Sequence, residues 1–162
     1  VAHAIDCAHR SNLLLKVVLA EDAPRVLVEA VQALVGEQNI VWNAYAALGV
    51  TQSIARGLAA SPDAASWILL PGDMPNVQPN DMHAVLRVLD EPDVLAARPV
   101  HAGKPGHPVG LSRRLGIDWS KSIASAGPVL LRALAHAHHV DNCSPGVIQD
   151  VDTVADLEGL SP

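Results

Sequence analysis

The chain has no phenylalanine, one tyrosine and three tryptophans, so its core must be built from Ala, Val and Leu. It has two cysteines, Cys7 and Cys143, far apart and outside any CxxC or Cys/His spacing. That pattern excludes a disulfide-stapled scaffold and a zinc finger. It fits a reducing compartment, the cytoplasm, with both thiols as small core or surface residues. No apolar run has the length that crosses a bilayer and no secretory signal is visible, so no membrane partner is expected. Positive charge is scarce: 11 Lys and Arg stand against 17 Asp and Glu, a formal charge of −6. A nucleic-acid surface needs a basic stripe, so no nucleic-acid partner is expected either. Phosphate chemistry would then draw its positive charge from a metal ion.

What is present fits one globular domain over residues 1–162, with no repeat, linker or low-complexity tract. A chain of this size buries roughly 70% of its unfolded surface and needs no staple. Val1 falls in what reads as the middle of a helix, with Ala2, Ile5 and Ala8 at helical spacing and no capping residue before them. Leu13 to Ala20 reads as a strand covered on both faces. Asp22 reads as a helix N-cap with Pro24 in the first turn and Gly36 as the stop. Ile40 to Trp42 reads as a short strand, and Gly49 as the opening of a helix. Trp67 to Leu70 is a second apolar strand, ending in Pro71–Gly72–Asp73–Met74–Pro75. Asn80 or Asp81 is expected to cap the next helix. Val94 to Ala97 reads as a strand, His101 to His107 as a loop, and Pro128 to His139 as a helix with proline at its start. Val147 to Val151 reads as a last strand, and Thr153 and Asp156 as a capping box for a final helix. Strands alternating with helices predict an α/β domain with a mainly parallel sheet.

Three stretches carry chemistry. Asp73 sits just past a buried strand, where open α/β sheets bind ligands. Gly72 beside it would let a ligand approach the backbone. An Asp on such a turn suits Mg²⁺, a hard cation with oxygen ligands and retained waters. A plain turn is the alternative, since Asp, Gly and Pro are turn residues anyway. Asp150 and Asp152 point to one face if their segment is a strand, and either carboxylate could share a metal with Asp73. The alternative is a solvated strand end. Gly103 to Val109 has two glycines, and Lys104 and His107 can donate to phosphate or base; an ordinary surface loop is the competing reading. His136 and His139 meet the i, i+3 spacing of helical metal ligands, but with no third ligand nearby a metal role is disfavoured.

In this order, the segments resemble the MobA-like NTP transferases, and most closely their molybdenum cofactor cytidylyltransferase branch. The matching pieces are Asn43 through Gly49, Ser53, Gly57 and Leu58, then LLPGDMPNV at 69–77, GHPVGLSRRL at 106–115 and DVDTVADL at 150–157. The resemblance implies a Rossmann-like, three-layer nucleotidyltransferase fold of the GT-A kind. It implies Mg²⁺ as cofactor, with CTP or GTP and molybdopterin cofactor as substrates, and a molybdoenzyme or its chaperone as a further candidate partner. The terminal phosphate of molybdopterin would attack the α-phosphate of CTP and release pyrophosphate. Asp73 would hold the metal with Asp152, or less favourably Asp150. Gly49 and Ser53, with Gly72 and Asp73, would border the nucleotide. Gly106, His107 and Pro108 would face the cofactor. The family's first strand and glycine-rich loop should precede Val1, so an N-terminally truncated, marginal and inactive chain is expected. The family's Gly–Asp–x–Gly–Ala–Arg segment is replaced by Ser125 to Pro128, without its Asp or Arg. Competing expectations are a guanylyltransferase, an NAD(P)H-dependent oxidoreductase on the same fold, and a non-catalytic remnant.

Overall fold

The structure is a computed structural model that describes residues 1–119, 123–151 and 156. Apolar spacing near 3.6 residues places helices α1 (Ala2–Arg10), α2 (Arg25–Val35), α3 (Val50–Ala59), α4 (Pro79–Leu89) and α5 (Ile123–Ala135). In α2 the stripe Leu27, Val28, Val31 and Val35 packs on Ile5 of α1 and on Leu19. Short apolar runs form β1 (Val17–Ala20), β2 (Ile40–Asn43), β3 (Ser66–Leu69), β4 (Ala96–His101), β5 (Lys104–Pro105), β6 (Val109–Ser112) and β7 (His138–Val140).

Period-two alternation sorts the strand residues between two helical layers. Ala96, Val109 and Leu111 pack with Ala55 and Leu58 of α3 and Leu130 of α5. On the opposite face, Ala97 packs with Val85 and Leu89 of α4 and with Val147. Gly110 shares that second face: a Cβ there would stand 2.5 Å from Val85 Cγ1 and 2.6 Å from Leu89 Cδ1, so its missing side chain lets α4 close on the sheet.

The strands form two hydrogen-bonded groups. β1 pairs with β2 in parallel, Val17 opposite Ile40 through Ala20 opposite Asn43. The other group runs β3–β6–β4–β5, with β7 also on β4. Helix α1 packs against both α2 and α4 and so bridges the two groups. The α/β, Rossmann-like expectation holds, but among the described residues parallel pairing is confined to β1–β2 and β4–β7. β6 lies antiparallel between β3 and β4. The cause is local: β4 turns back through the tight His101–Lys104 hairpin, and a short reversal can only give antiparallel neighbours.

Several boundaries differ from the sequence reading, each for a physical reason. Leu13 to Lys16 precede β1 as loop, with Leu14 fully exposed, so that run is not covered on both faces. Helix α2 starts after Pro24 rather than at Asp22. Helix α4 is capped by Gln78, with Asp81 at the third helical position closing a reciprocal capping box. Pro128 lies inside α5, not at its start, and the helix ends at Ala135. His138 and His139 instead belong to β7, paired with Ala97 and Arg98, so the helical His136/His139 spacing does not exist. Pro145 to Ile148 forms a 3-10 turn, not a strand. Proline gives that segment one fewer donor, and the Gly146 backbone is pressed against Asn76 O, leaving no partner ladder. The period-two argument for Asp150 and Asp152 therefore falls. Thr153 and Asp152 lie outside the described residues.

Candidate active site

β3 delivers the Leu70–Pro75 loop. Met74 anchors it, buried with Val77 and Met82 against Cys7 and Ala8 of α1. That anchor leaves Asp73 exposed beside it. The Asp73 carbonyl accepts the Val151 amide at 2.9 Å. Asn76 Nδ2 donates to Gln149 Oε1 at 2.9 Å, a second tie between the same two segments. These bonds hold exposed Asp150 beside the Asp73 loop without any strand pairing.

The third side of the site is the turn into β6. Gly106 donates its amide to Pro99 O at 2.8 Å, and His107 donates its amide to Val147 O at 2.7 Å. Gly106 has no room for a Cβ, which would overlap Val147 O. The His107–Pro108 peptide is cis, and Pro108 is fully buried. His107 Nδ1 is buried with no hydrogen-bond partner. Burial lowers the His107 pKa, Arg98 lowers it further, and Asp73 and Asp150 pull it back up. Four charged or chargeable side chains from four segments thus share one electrostatic neighbourhood.

Gly49 and Ser53 are held elsewhere, at the end of β2. Buried Asn43 donates from Nδ2 to Ser53 Oγ at 3.0 Å and accepts the Tyr45 amide on Oδ1. Gly49, with φ of 110°, precedes α3, and no side chain caps that helix start. Such a start offers amide donors to an anion. A Cβ on Gly49 would meet nothing, so the exposed backbone there is open. Tyr45 lies beneath the Arg56 guanidinium at 5.6 Å. Among the described residues no hydrogen bond joins this group to the Asp73 group. At Gly72 the space beside the backbone is taken by Val1, whose Cγ2 would be 3.0 Å from an added Cβ.

Among the described residues no cluster of three or more His, Cys, Asp or Glu could hold a metal. The donor set is a pair of exposed carboxylates, Asp73 and Asp150. That pair suits a hard divalent cation, which binds through one or two carboxylates and completes its shell with water and substrate phosphates. His136, His138 and His139 are exposed and take no part.

Arg98 was missed by the sequence reading. Its one visible signal is a lone cation inside the run Ala96–Ala97–Arg98–Pro99–Val100, on a strand of otherwise small or apolar residues.

A three-layer α/β domain with a carboxylate loop past one strand is the architecture of nucleotide-handling enzymes. A model of the MobA-like NTP transferase domain matches residues 2–140, and the chain belongs to that family, whose members are nucleotidyltransferases. Similar solved structures include Rv0371c of Mycobacterium tuberculosis H37Rv in complex with manganese, at 23% identity and TM-score 0.66. That likeness covers 97% of this chain and 83% of the other. The 4-diphosphocytidyl-2C-methyl-D-erythritol synthase of Anaerococcus prevotii is similar at 12% identity and TM-score 0.68, over 98% of this chain and 82% of that one. Molybdopterin-guanine dinucleotide biosynthesis protein A of Archaeoglobus fulgidus is similar at 16% identity and TM-score 0.56, over 88% and 75%. These likenesses concern the fold. No functionally curated protein matches the chain. No helix among the described residues is long and apolar enough to cross a membrane.

Proposed function

We propose that this domain transfers CMP from CTP to the terminal phosphate of molybdopterin-type cofactor, releasing pyrophosphate, in the cytoplasm. The observation that carries the reading is the Val151–Asp73 backbone bond, which sets a second acidic segment beside the Asp73 loop and His107. Asp73 and Asp150, joined by Asp152, would hold Mg²⁺, which would offset charge on the triphosphate and on the leaving pyrophosphate. Gly49 and Ser53 border the base and ribose, with the uncapped start of α3 facing the nucleotide. His107 faces the acceptor, while Gly106 and Pro108, both buried, set its position from behind rather than lining the substrate. An acceptor phosphate oxygen attacks the α-phosphorus of CTP in line; the new P–O bond forms as the bond to the β-phosphate oxygen breaks. The chain's own contribution is positioning and charge placement.

Among the described residues β1 and β3 each have one neighbouring strand, β2 and β6. A molybdoenzyme or its chaperone would receive the product. The test is pyrophosphate release from CTP with Mg²⁺ and molybdopterin. Release is expected with CTP and should be slower with GTP. Faster turnover of GTP would assign the guanylyltransferase reaction instead. Nicotinamide oxidation without pyrophosphate release would overturn the reading.

A further inference from the structure

Among the described residues Arg98 has no ion-pair partner. Among the described residues the ion pairs are Arg10–Asp6 and Arg25–Glu29, both exposed pairs one helical turn apart. Arg98 makes one hydrogen bond, from a terminal guanidinium nitrogen to Gly106 O at 3.3 Å. Its Nε is buried and has no partner. A guanidinium presents five N–H donors in a planar fork, so most of its capacity is unused. It lies two residues from Ala96 along β4, on the sheet face that α3 and α5 cover. A buried donor left unsatisfied is destabilising, and more so on a charged group. A position like this persists where something else supplies the acceptor.

The neighbouring group has the same deficit. His107 Nδ1 is also buried and unpartnered, and Arg98 is close enough to lower the His107 pKa. Two hydrogen bonds fix their relative placement: Gly106 N to Pro99 O, and Arg98 to Gly106 O. Two unused nitrogen functions, one permanently charged, thus lie buried behind the turn into β6, within electrostatic reach of Asp73 and Asp150. A phosphate monoester fits both, since its oxygens accept bidentate guanidinium bonds and a further bond from imidazole. The overall charge of −6 gives an anion no general attraction to this protein, so a local receptor is required.

We propose that Arg98 and His107 together form the receptor for the phosphate monoester of the acceptor substrate. This rests on the acceptor-side reading of His107 above and adds the group that recognises the acceptor's charge. Arg98 binds and orients the attacking phosphate, while the nucleotide lies at Gly49 and Ser53.

The test is a ³¹P NMR or calorimetric titration of the protein with inorganic phosphate, without metal or nucleotide. One site per chain is expected. Arg98→Met should weaken it by about tenfold or more, and Arg98→Lys should retain part of the affinity because it keeps the charge. Both variants should bind Mg²⁺–CTP like the wild type. If Arg98→Met does not fold, the Lys variant decides: affinity equal to wild type would show that the fork geometry is irrelevant and overturn the proposal. Phosphate binding that is absent in the wild type, or unchanged in Arg98→Met, would also overturn it. Intact phosphate binding in a protein that fails to bind CTP would refute the nucleotide reading and leave this receptor standing.

Discussion

Gly106→Ala should be among the most damaging single-methyl changes in the molecule. The added Cβ would overlap Val147 O and stand 2.7 Å from the Val147 carbonyl carbon. That oxygen is also the acceptor for the His107 amide at 2.7 Å. Both clashing atoms are backbone, so no rotamer change can relieve the overlap and the Pro145–Ile148 turn must move. Losing the buried hydrogen bond costs about 1–3 kcal/mol. Overpacking costs about 1–3 kcal/mol more. A total of about 2–6 kcal/mol is a large part of the roughly 5–15 kcal/mol that holds a domain together. For a chain of this length it lowers the melting temperature by roughly 5–20 °C. Gly110→Ala is the comparison, because its Cβ meets side-chain atoms of Val85 and Leu89 but no backbone; both side chains are fully buried and must be displaced, at a cost of about 1–3 kcal/mol. Urea denaturation followed by tryptophan fluorescence measures both. A Gly106→Ala protein as stable as wild type, or more stable than Gly110→Ala, would refute the reasoning.

Asp73 is exposed and its side chain supports no packing, so Asp73→Asn should leave the melting curve unchanged while reducing nucleotidyl transfer by about 100-fold or more, read by pyrophosphate release. Ser53→Ala removes the partner of buried Asn43 Nδ2; it should cost about 1–2 kcal/mol in denaturant and weaken CTP binding in calorimetry. Burial raises the pKa of both Cys7 and Cys143, so their thiols keep protons that the unfolded chain gives up above its ordinary thiol pKa of about 8.5. Stability from these groups is full below that pH and falls as pH rises towards the folded-state values; unfolding at rising pH should show the loss, and Cys→Ala variants should lessen it. At neutral pH an aromatic disulfide reagent should label neither thiol until the protein unfolds.

The alternation of apolar runs with helical stripes made the layers and most elements legible. The Asp73 loop was legible too, because an apolar strand ending in Gly–Asp–Met–Pro announces itself locally. What failed depended on partners distant in sequence. Pro128 reads as a helix start, yet α5 absorbs it. Asp81 reads as a cap, but it also accepts the Ser144 amide at 2.8 Å and is bonded by the Ser144 hydroxyl, a tie between α4 and the turn after β7 that no local pattern encodes. Asp150 was placed on a strand by its spacing, whereas a single backbone bond from Val151 to Asp73 sets its position. Arg98 falls outside the strand that reads from Val94 to Ala97, whereas pairing with β7 carries β4 on through Pro99.

The most direct test is a Mn²⁺ titration of the isotope-labelled chain, followed by paramagnetic broadening of its amide resonances. Asp73, Val151 and His107 should broaden first, and adding CTP should extend the effect to Gly49 and Ser53. Asp73→Asn should abolish the specific pattern. Broadening centred on exposed His138 and His139, or a pattern indifferent to Asp73→Asn and to CTP, would contradict the assignment of this cleft as a metal–nucleotide site.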